Sequence, residues 1–403
     1  MMKKRLPAWA LGIANMPLGL TCGIELLTVP QILAARHVPE VAIAQMTTIA
    51  LIPTFGVFLL GPLLDTHFSR RTYAVASTLL AALAVAVTVL ALDNLVVLGV
   101  AMFLAIAAGA ANNAVIGGWF GNLLDSEAED ATLGAWFNVA NTFGYGLISC
   151  AAIFLIRGAP SWLAAMLLAA PALVPLAIYA VTPAPPPDEK LAGESFAQFW
   201  SDLRGLISRP IVLRTLLLFV APITCFALTN TLGGLGRDYG TDEGLVAVFA
   251  GVSVIGGGLV GSLLVPPLAR RMSGPQLYLC IGGFGALFTL STIVMPHSPA
   301  VYFIAMFGAN VGQAAGLSTI SVIALNSLGK DNPFAATQFA LLICAGALPI
   351  TYMQLVDGHA YGLGGLKLMY LADGGLGLIA CTLLAALWFL WSRSAARVSA
   401  IAA

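Results

Sequence analysis

Charge is what this chain has least of. Among its 403 residues, 18 are Lys or Arg and 18 are Asp or Glu, only 9% of the total. A soluble domain covers its surface with roughly a quarter charged residues, so a chain this poor in charge is solvated mainly by lipid. The formal net charge is zero, which removes any electrostatic case for a nucleic-acid partner. The six cysteines, Cys22, Cys150, Cys225, Cys280, Cys344 and Cys381, stand singly inside apolar runs. Without a C-x-x-C pair they suggest neither a disulfide framework nor a zinc site, and small apolar filler is their reading. His37, His67, His297 and His359 are scattered over separate loops. There is no His-Glu-x-x-His, no nucleophile elbow and no Gly-x-x-x-x-Gly-Lys-Ser/Thr loop; Gly233-Gly234-Leu235-Gly236 follows no strand. These absences argue against an enzyme and against a nucleotide-driven pump, and no metal or cofactor is expected.

What is present is apolar length. Hydrophobic residues make up 59% of the chain and the mean hydropathy is +0.94. Twelve runs are each near the roughly 20 residues a helix needs to cross a bilayer core. They lie near 8–34, 41–60, 72–92, 95–118, 132–156, 161–181, 211–235, 245–267, 276–294, 299–323, 334–356 and 368–391. Strands are excluded because the runs are too long and do not alternate. The fold class expected is therefore an all-α integral membrane protein with twelve transmembrane helices. Lys3-Lys4-Arg5 before the first run resembles a signal peptide, but the run is too long for one and reads as a retained helix. Pro17, Pro53, Pro222 and Pro349 fall inside spans, where neighbouring helices can satisfy the freed carbonyls.

Placing the N-terminus in the cytoplasm puts fourteen cationic residues on that side and four (Arg36, Arg157, Arg237 and Lys367) outside. That bias predicts both termini cytoplasmic, in a cell inner membrane. The loop 119–131 runs against it with Asp125, Glu127, Glu129 and Asp130, but acidic residues contribute little to orientation. The longest polar connection, 183–209, starts with Pro183-Ala184-Pro185-Pro186-Pro187, a semi-rigid linker. Phe196, Phe199, Trp200, Leu203 and Ile207 then recur at helical spacing, predicting an amphipathic helix on the inner membrane surface.

The chain repeats itself at an offset of 200 residues. Gly61, Leu63, Leu64 and Arg70-Arg71 pair with Gly261, Leu263, Leu264 and Arg270-Arg271; Asn113 pairs with Gln313, Asn138 with Gln338 and Gly146 with Gly346. Two copies of one unit are expected: a six-helix half over 1–182, the linker 183–209, and a second six-helix half over 210–403. The first copy has Asp65 where the second has Val265.

Twelve spans in two halves, a long central loop and a Gly-x-Leu-x-Asp…Arg-Arg loop after span two resemble the major facilitator superfamily across the whole chain. Gly61, Leu63, Asp65, Arg70 and Arg71 match that family's loop, while Thr66, Phe68 and Ser69 depart from it. The resemblance implies a cytoplasmic gate at Gly61, Asp65, Arg70, Arg71, Arg270 and Arg271; anchoring of helix ends is the plainer role for the arginines. Ala336-Thr337-Gln338-Phe339-Ala340-Leu341-Leu342 also resembles the span-eleven signature of the anhydromuropeptide permease and acetyl-CoA transporter branch and its siderophore-uptake relatives. That implies uptake of a medium-sized polar metabolite. Span four departs from the branch: it carries Asn112-Asn113 and then Gly117 where acidic residues are usual.

A buried ionisable group in a membrane span is expensive, so Glu25 in span one is the proton-coupling candidate. Its alternative is a protonated or water-exposed carboxyl at a cavity rim with no coupling role. Asp357 and Asp373 flank the last outer loop and are expected to be hydrated. Arg237 is an outer-gate candidate, with interfacial anchoring as its alternative. The substrate-binding candidates are uncharged: Asn112, Asn113, Asn138, Asn141, Tyr145, Asn230, Asn310, Gln313, Thr337 and Gln338, with Thr229 beside them. Asn138 and Asn141 share a helix face, as do Asn310 and Gln313. Helix-to-helix hydrogen bonding is the structural alternative for each. The Gly117/Gly121 and Gly257/Gly261 pairs have the spacing of close helix packing. The expected activity is secondary transport of a small molecule by a monomer, with protons as co-substrate. An exporter of the same fold or a non-transporting receptor are the alternatives.

Overall fold

In the computed structural model, the described residues are 6–65, 68–124, 126–183, 207–224, 228–232, 235–328 and 334–402, with a few isolated neighbours. The amphipathic helix expected over 196–207 lies outside them. Among the described residues every structured element is helical, and each of the twelve apolar runs contains helix. They are α1 (Ala8–Leu33), α2 (Glu40–Gly56, extended by Val57–Leu60 and Gly61–Asp65), α3 (Arg70–Leu90), α4 (Leu95–Gly121), α5 (Glu127–Gly158) and α6 (Ser161–Val181). The second set begins with α7 (Pro210–Val220, resuming at Leu228–Thr231) and α8 (Glu243–Val252, running on through Ser253–Gly257 to Gly258–Ala269). It continues with α9 (Gly274–Thr292) and α10 (Pro299–Leu328). The helical run Ala335–Ala402 is broken at Gly364 and Gly365, giving α11 over 335–363 and α12 over 366–402.

Local chemistry explains the boundaries. Asn94 and Ser126 accept from the Val97 and Glu129 amides and so start α4 and α5. The acidic loop that ran against the charge bias is largely the first turn of α5, where Glu127, Glu129 and Asp130 complement the positive helix end. Pro53 lies within α2, and the helix tightens into a 3-10 turn over Val57–Leu60. At Gly365, φ is +64°, a conformation suited to glycine, and there the chain turns back.

The chain forms two compact units. One comprises 1–213 with 321–344, the other 214–320 with 345–403. The first therefore contains α1 to α6 together with the end of α10 and the start of α11. Its core joins Leu20 and Ile24 of α1 to Val85 and Val89 of α3, Leu98 and Met102 of α4, and Leu168 of α6. In the second unit, Leu228 and Leu232 pack with Tyr239, Tyr302, Met306, Met369 and Tyr370. The outward surface keeps large apolar side chains exposed, including Leu83, Val96, Phe154, Phe284 and Leu355, as lipid solvation requires.

Helices approach closely where α11 begins. A Cβ on Gly118 of α4 would sit 2.5 Å from the Ala336 amide nitrogen, and one on Gly61 would collide with the Thr337 hydroxyl. Both positions need a residue with no side chain. Gly118→Val should therefore lower thermal stability by about 1–3 kcal/mol through overpacking. Gly56→Ala, where a Cβ meets nothing within 4 Å, should not. Thermal unfolding of the purified variants checks this; equal midpoints for the two would contradict it.

Candidate functional site

The first N–H groups of a helix have no partner within it, and they carry partial positive charge. At the start of α11 those groups meet Asp65. Its Oδ1 accepts from the Ala336 amide at 3.1 Å, and its Oδ2 accepts from the Thr337 amide at 2.9 Å and the Thr337 hydroxyl at 2.7 Å. Arg70 Nη2 completes the shell, pairing with Oδ1 at 3.1 Å. The Asp65 side chain has no solvent exposure. Burial pushes its carboxyl up from the ordinary range, and Arg70 with the three α11 donors pulls against that push.

Arg70 also donates to the carbonyls of Gly118 and Asn332, each at 3.3 Å, while Arg71 donates to Ala180 at the end of α6. One loop is thereby tied to α4, α6 and the approach to α11. The start of α11 is held from its other side by Gln338. Its amide nitrogen donates to the Ser327 carbonyl and hydroxyl, and its oxygen accepts from Asn332. Thr337 and Gln338, expected on a ligand surface, thus spend their polar atoms inside this latch. Ser327 and Asn332 carried no sequence signal, because isolated polar residues at a helix end look like ordinary loop. Arg270 and Arg271 are exposed, and among the described residues neither forms an ion pair.

Glu25 lies in a π-helical turn, Ile24–Thr28, within α1. It is fully buried, which excludes the hydrated rim position. Thr88 of α3 donates to its Oε1 at 3.0 Å, and its Oε2 has no partner. Thr28 bonds the Gly23 carbonyl at 3.1 Å, occupying a carbonyl beside the wide turn.

The other candidates separate into two kinds. Asn112 is a packing node: its oxygen accepts from Tyr179 at 2.7 Å and Thr78 at 3.2 Å, and its nitrogen donates to the Ala14 carbonyl at 3.0 Å. These bonds join α1, α3, α4 and α6 and use its donors and acceptor within the fold. Asn113, one residue on, faces a small cavity of about 40 Å³ lined also by Leu18, Thr54, Ala340 and Cys344. Asn138 is buried, Asn141 and Tyr145 are half-buried, and all three belong to α5. In the second unit, Gln313 donates to the Thr229 hydroxyl at 2.8 Å, and Asn310 to its own helix at Met306. The Asn230 side chain lies outside the described residues. Arg237 is exposed in the 3-10 turn Gly236–Tyr239 that follows α7, beside Asp238, which accepts from Tyr361 at 2.7 Å.

Asp357 and Asp373 correct the sequence reading. Both are buried, not hydrated, because α11 continues past the end of its apolar run and encloses Asp357. Among the described residues no three His, Cys, Asp or Glu side chains gather as a metal site.

Among the described residues, eight helices are long and apolar enough to cross a membrane, and Gln45–Leu60 and Pro210–Val220 add shorter apolar ones, the pattern of a multi-pass membrane protein. The sequence matches the Major Facilitator Superfamily model over residues 11–350. The chain belongs to the major facilitator superfamily and is a secondary transporter. No curated protein matches the sequence. Several solved structures share the fold. A human organic anion transporter is 18% identical, with 94% of this chain and 98% of that one covered at a TM-score of 0.68. A proton:xylose symporter is 12% identical, with 96% and 95% covered at 0.70. A bacterial homologue of the iron transporter ferroportin, in an outward-facing state, is 16% identical, with 96% and 100% covered at 0.68.

Replacing Asp65 by Asn removes the charge and turns one of its two acceptor oxygens into a donor, which leaves Arg70 and the α11 donors short of an acceptor. Asp65→Asn should free the start of α11 and expose Cys344, whose thiol is buried against the Thr54 carbonyl at 3.2 Å. Labelling with a maleimide, followed by peptide mass spectrometry, should show Cys344 modified about tenfold faster, the factor given by a loss of ~1.4 kcal/mol. An unchanged rate would contradict the latch.

Proposed function

We propose that this transporter takes up a medium-sized polar metabolite, muropeptide-like or siderophore-like, across the cell inner membrane with protons as co-substrate. Both termini are cytoplasmic in this reading, and residues 1–182 rock against 210–403 around a central site. The observation that carries the coupling is Glu25, a fully buried carboxyl with one oxygen bonded by Thr88 and the other free. A group in that setting is stable in a neutral form and costly as an anion. Its protonation is therefore tied to whether water or solute reaches it.

The Asp65 latch supplies the conformational element. While it holds, α11 stays packed on α2 and α4; releasing it is the step that opens the cytoplasmic side. Gly61, Arg70 and Arg71 belong to this gate, and Arg270 and Arg271 to its weaker counterpart. Arg237 is assigned to the outer face. Asn113, Asn138, Asn141, Tyr145, Asn230, Asn310 and Gln313 are the ligand-facing set, and their lack of charge favours a neutral or weakly charged solute. Two of the similar solved structures are proton symporters of xylose and of fucose by description, and at 12% and 16% identity they support the fold. An exporter uses the same parts with the coupling direction reversed.

Reconstitution in liposomes with a proton gradient tests this reading. Proton entry is followed on adding anhydromuropeptides, hydroxamate and catecholate siderophores, or hexoses. One solute class should draw protons inward and accumulate in wild type. Glu25→Gln should lose accumulation while retaining counterflow of the same labelled solute. Full accumulation by Glu25→Gln would contradict coupling through this residue, and binding without movement of any solute would point to a receptor.

A further inference from the structure

The second compact unit has buried acids of its own. Asp357 on α11 is 0% exposed, and neither carboxylate oxygen has a partner. Asp373 on α12 is 8% exposed, its Oδ1 has no partner among the described residues, and Thr289 of α9 lines the same pocket. The two carboxyls lie within each other's electrostatic reach. No cation among the described residues pairs with either. His359 near the end of α11 and Lys367 near the start of α12 are exposed, and Arg214 sits near the start of α7. Cys280 and Cys381 on the flanking helices supply no positive charge, and the Tyr352 hydroxyl is spent on the Val220 carbonyl at 2.7 Å. Two buried carboxylates without compensation cannot both be ionised at modest cost, so this place requires a positive charge from outside the protein.

A separate feature shows where that charge fits. Asp373 projects into a small pocket lined by Pro222, Ile223, Phe226, Gly285, Thr289 and Gly377. Here α7 is broken: residues 221–224 leave the helix, and Phe226 takes φ of +44°, a strained value for a non-glycine residue. The Phe226 ring is wedged against Gly285 of α9 and Gly312 of α10, which holds the break open. The Pro222 carbonyl oxygen lies 3.3 Å from where a Cβ on Gly377 would stand, one helical turn from Asp373. Thr224, inside the break, has a buried hydroxyl without a partner. Interrupted helices in a membrane offer free backbone carbonyls, oxygen ligands suited to a small cation.

We propose that the α7 break, Thr289, Asp373 and Asp357 form a monovalent-cation site in the second unit. Its occupant is one positive charge. A sodium ion would take oxygens from Asp373, Thr289 and the broken backbone, whereas a proton would be held by the carboxyl pair. The site is independent of Glu25, which belongs to the other unit, and it stands whatever solute is carried.

The test uses full-length protein in lipid nanodiscs, with Glu25→Gln as the background to remove that carboxyl. Thermal midpoints are measured in sodium against choline chloride at alkaline pH, and in choline chloride as the pH is lowered. Stabilisation by sodium identifies a sodium occupant; stabilisation by acid alone identifies a proton. In either case Asp373→Asn and Asp357→Asn should each raise the ion concentration for the half-maximal shift by about tenfold or more. Thr289→Val, which preserves shape, should raise it for sodium. Should an Asn variant fail to fold, infrared difference spectra of the parent on ion addition give a second readout: a carboxylate band must change on sodium binding, or a protonated-carboxyl band must appear on acidification. A parent whose midpoint and carboxyl bands respond to neither ion overturns the proposal, as do Asn variants whose curves superimpose on the parent's.

Discussion

The start of α11 is held by one carboxylate. Asp65 presents two oxygens to two backbone amides, a hydroxyl and a guanidinium, and it does so without exposure to water. A buried carboxylate is tolerable only when its lone pairs are filled, and a helix start without a cap has amides to spare. Each group therefore resolves the other's cost. Because Arg70 and Arg71 reach on to Gly118, Asn332 and Ala180, the same contact fixes α2, α4, α6 and α11 together. Breaking one member of such a set leaves the others unpaired, which makes the arrangement two-state instead of gradually deformable.

The Gly61–Arg71 stretch has a sequence counterpart 200 residues on, and the two differ in what they contact. Gly61 and Gly261 both allow close helix approach, but Gly61 faces Thr337 whereas Gly261 faces the backbone of α10 at Val311. Val265, at the position equivalent to Asp65, is a buried apolar residue, so the second loop has no carboxylate to pair with Arg270 and Arg271. The sequence suggested that buried acids were confined to the first half, through Glu25. The structure redistributes them: Glu25 rests on Thr88 in one unit, and Asp357 and Asp373 lie beside a broken α7 in the other.

Periodicity and charge made the fold legible. Apolar runs near twenty residues each contain helix, whereas the compact units, 1–213 with 321–344 and 214–320 with 345–403, do not follow the 200-residue repeat. The family loop singled out Asp65 and Arg70, and the structure pairs them at 3.1 Å. What sequence could not give was the identity of the third partner, because the Ala336 and Thr337 amides belong to the backbone and have no sequence signature. Asn112 illustrates the opposite difficulty. It looked like a ligand-facing amide, yet Tyr179, Thr78 and Ala14 consume it, and only their arrival from three other helices reveals that. Asp357 was misread for a geometric reason: helices outlast their apolar runs, so a residue at the end of a run can lie well inside a helix.

The central claim is that Asp65 caps α11, and amide hydrogen exchange reads that cap directly. In wild-type protein in nanodiscs, the amides of Ala336 and Thr337 should exchange slowly, as bonded and buried groups do. In Asp65→Asn they should exchange markedly faster, while the middle of α4 stays protected. Equal protection at Ala336 and Thr337 in the two proteins would contradict the account.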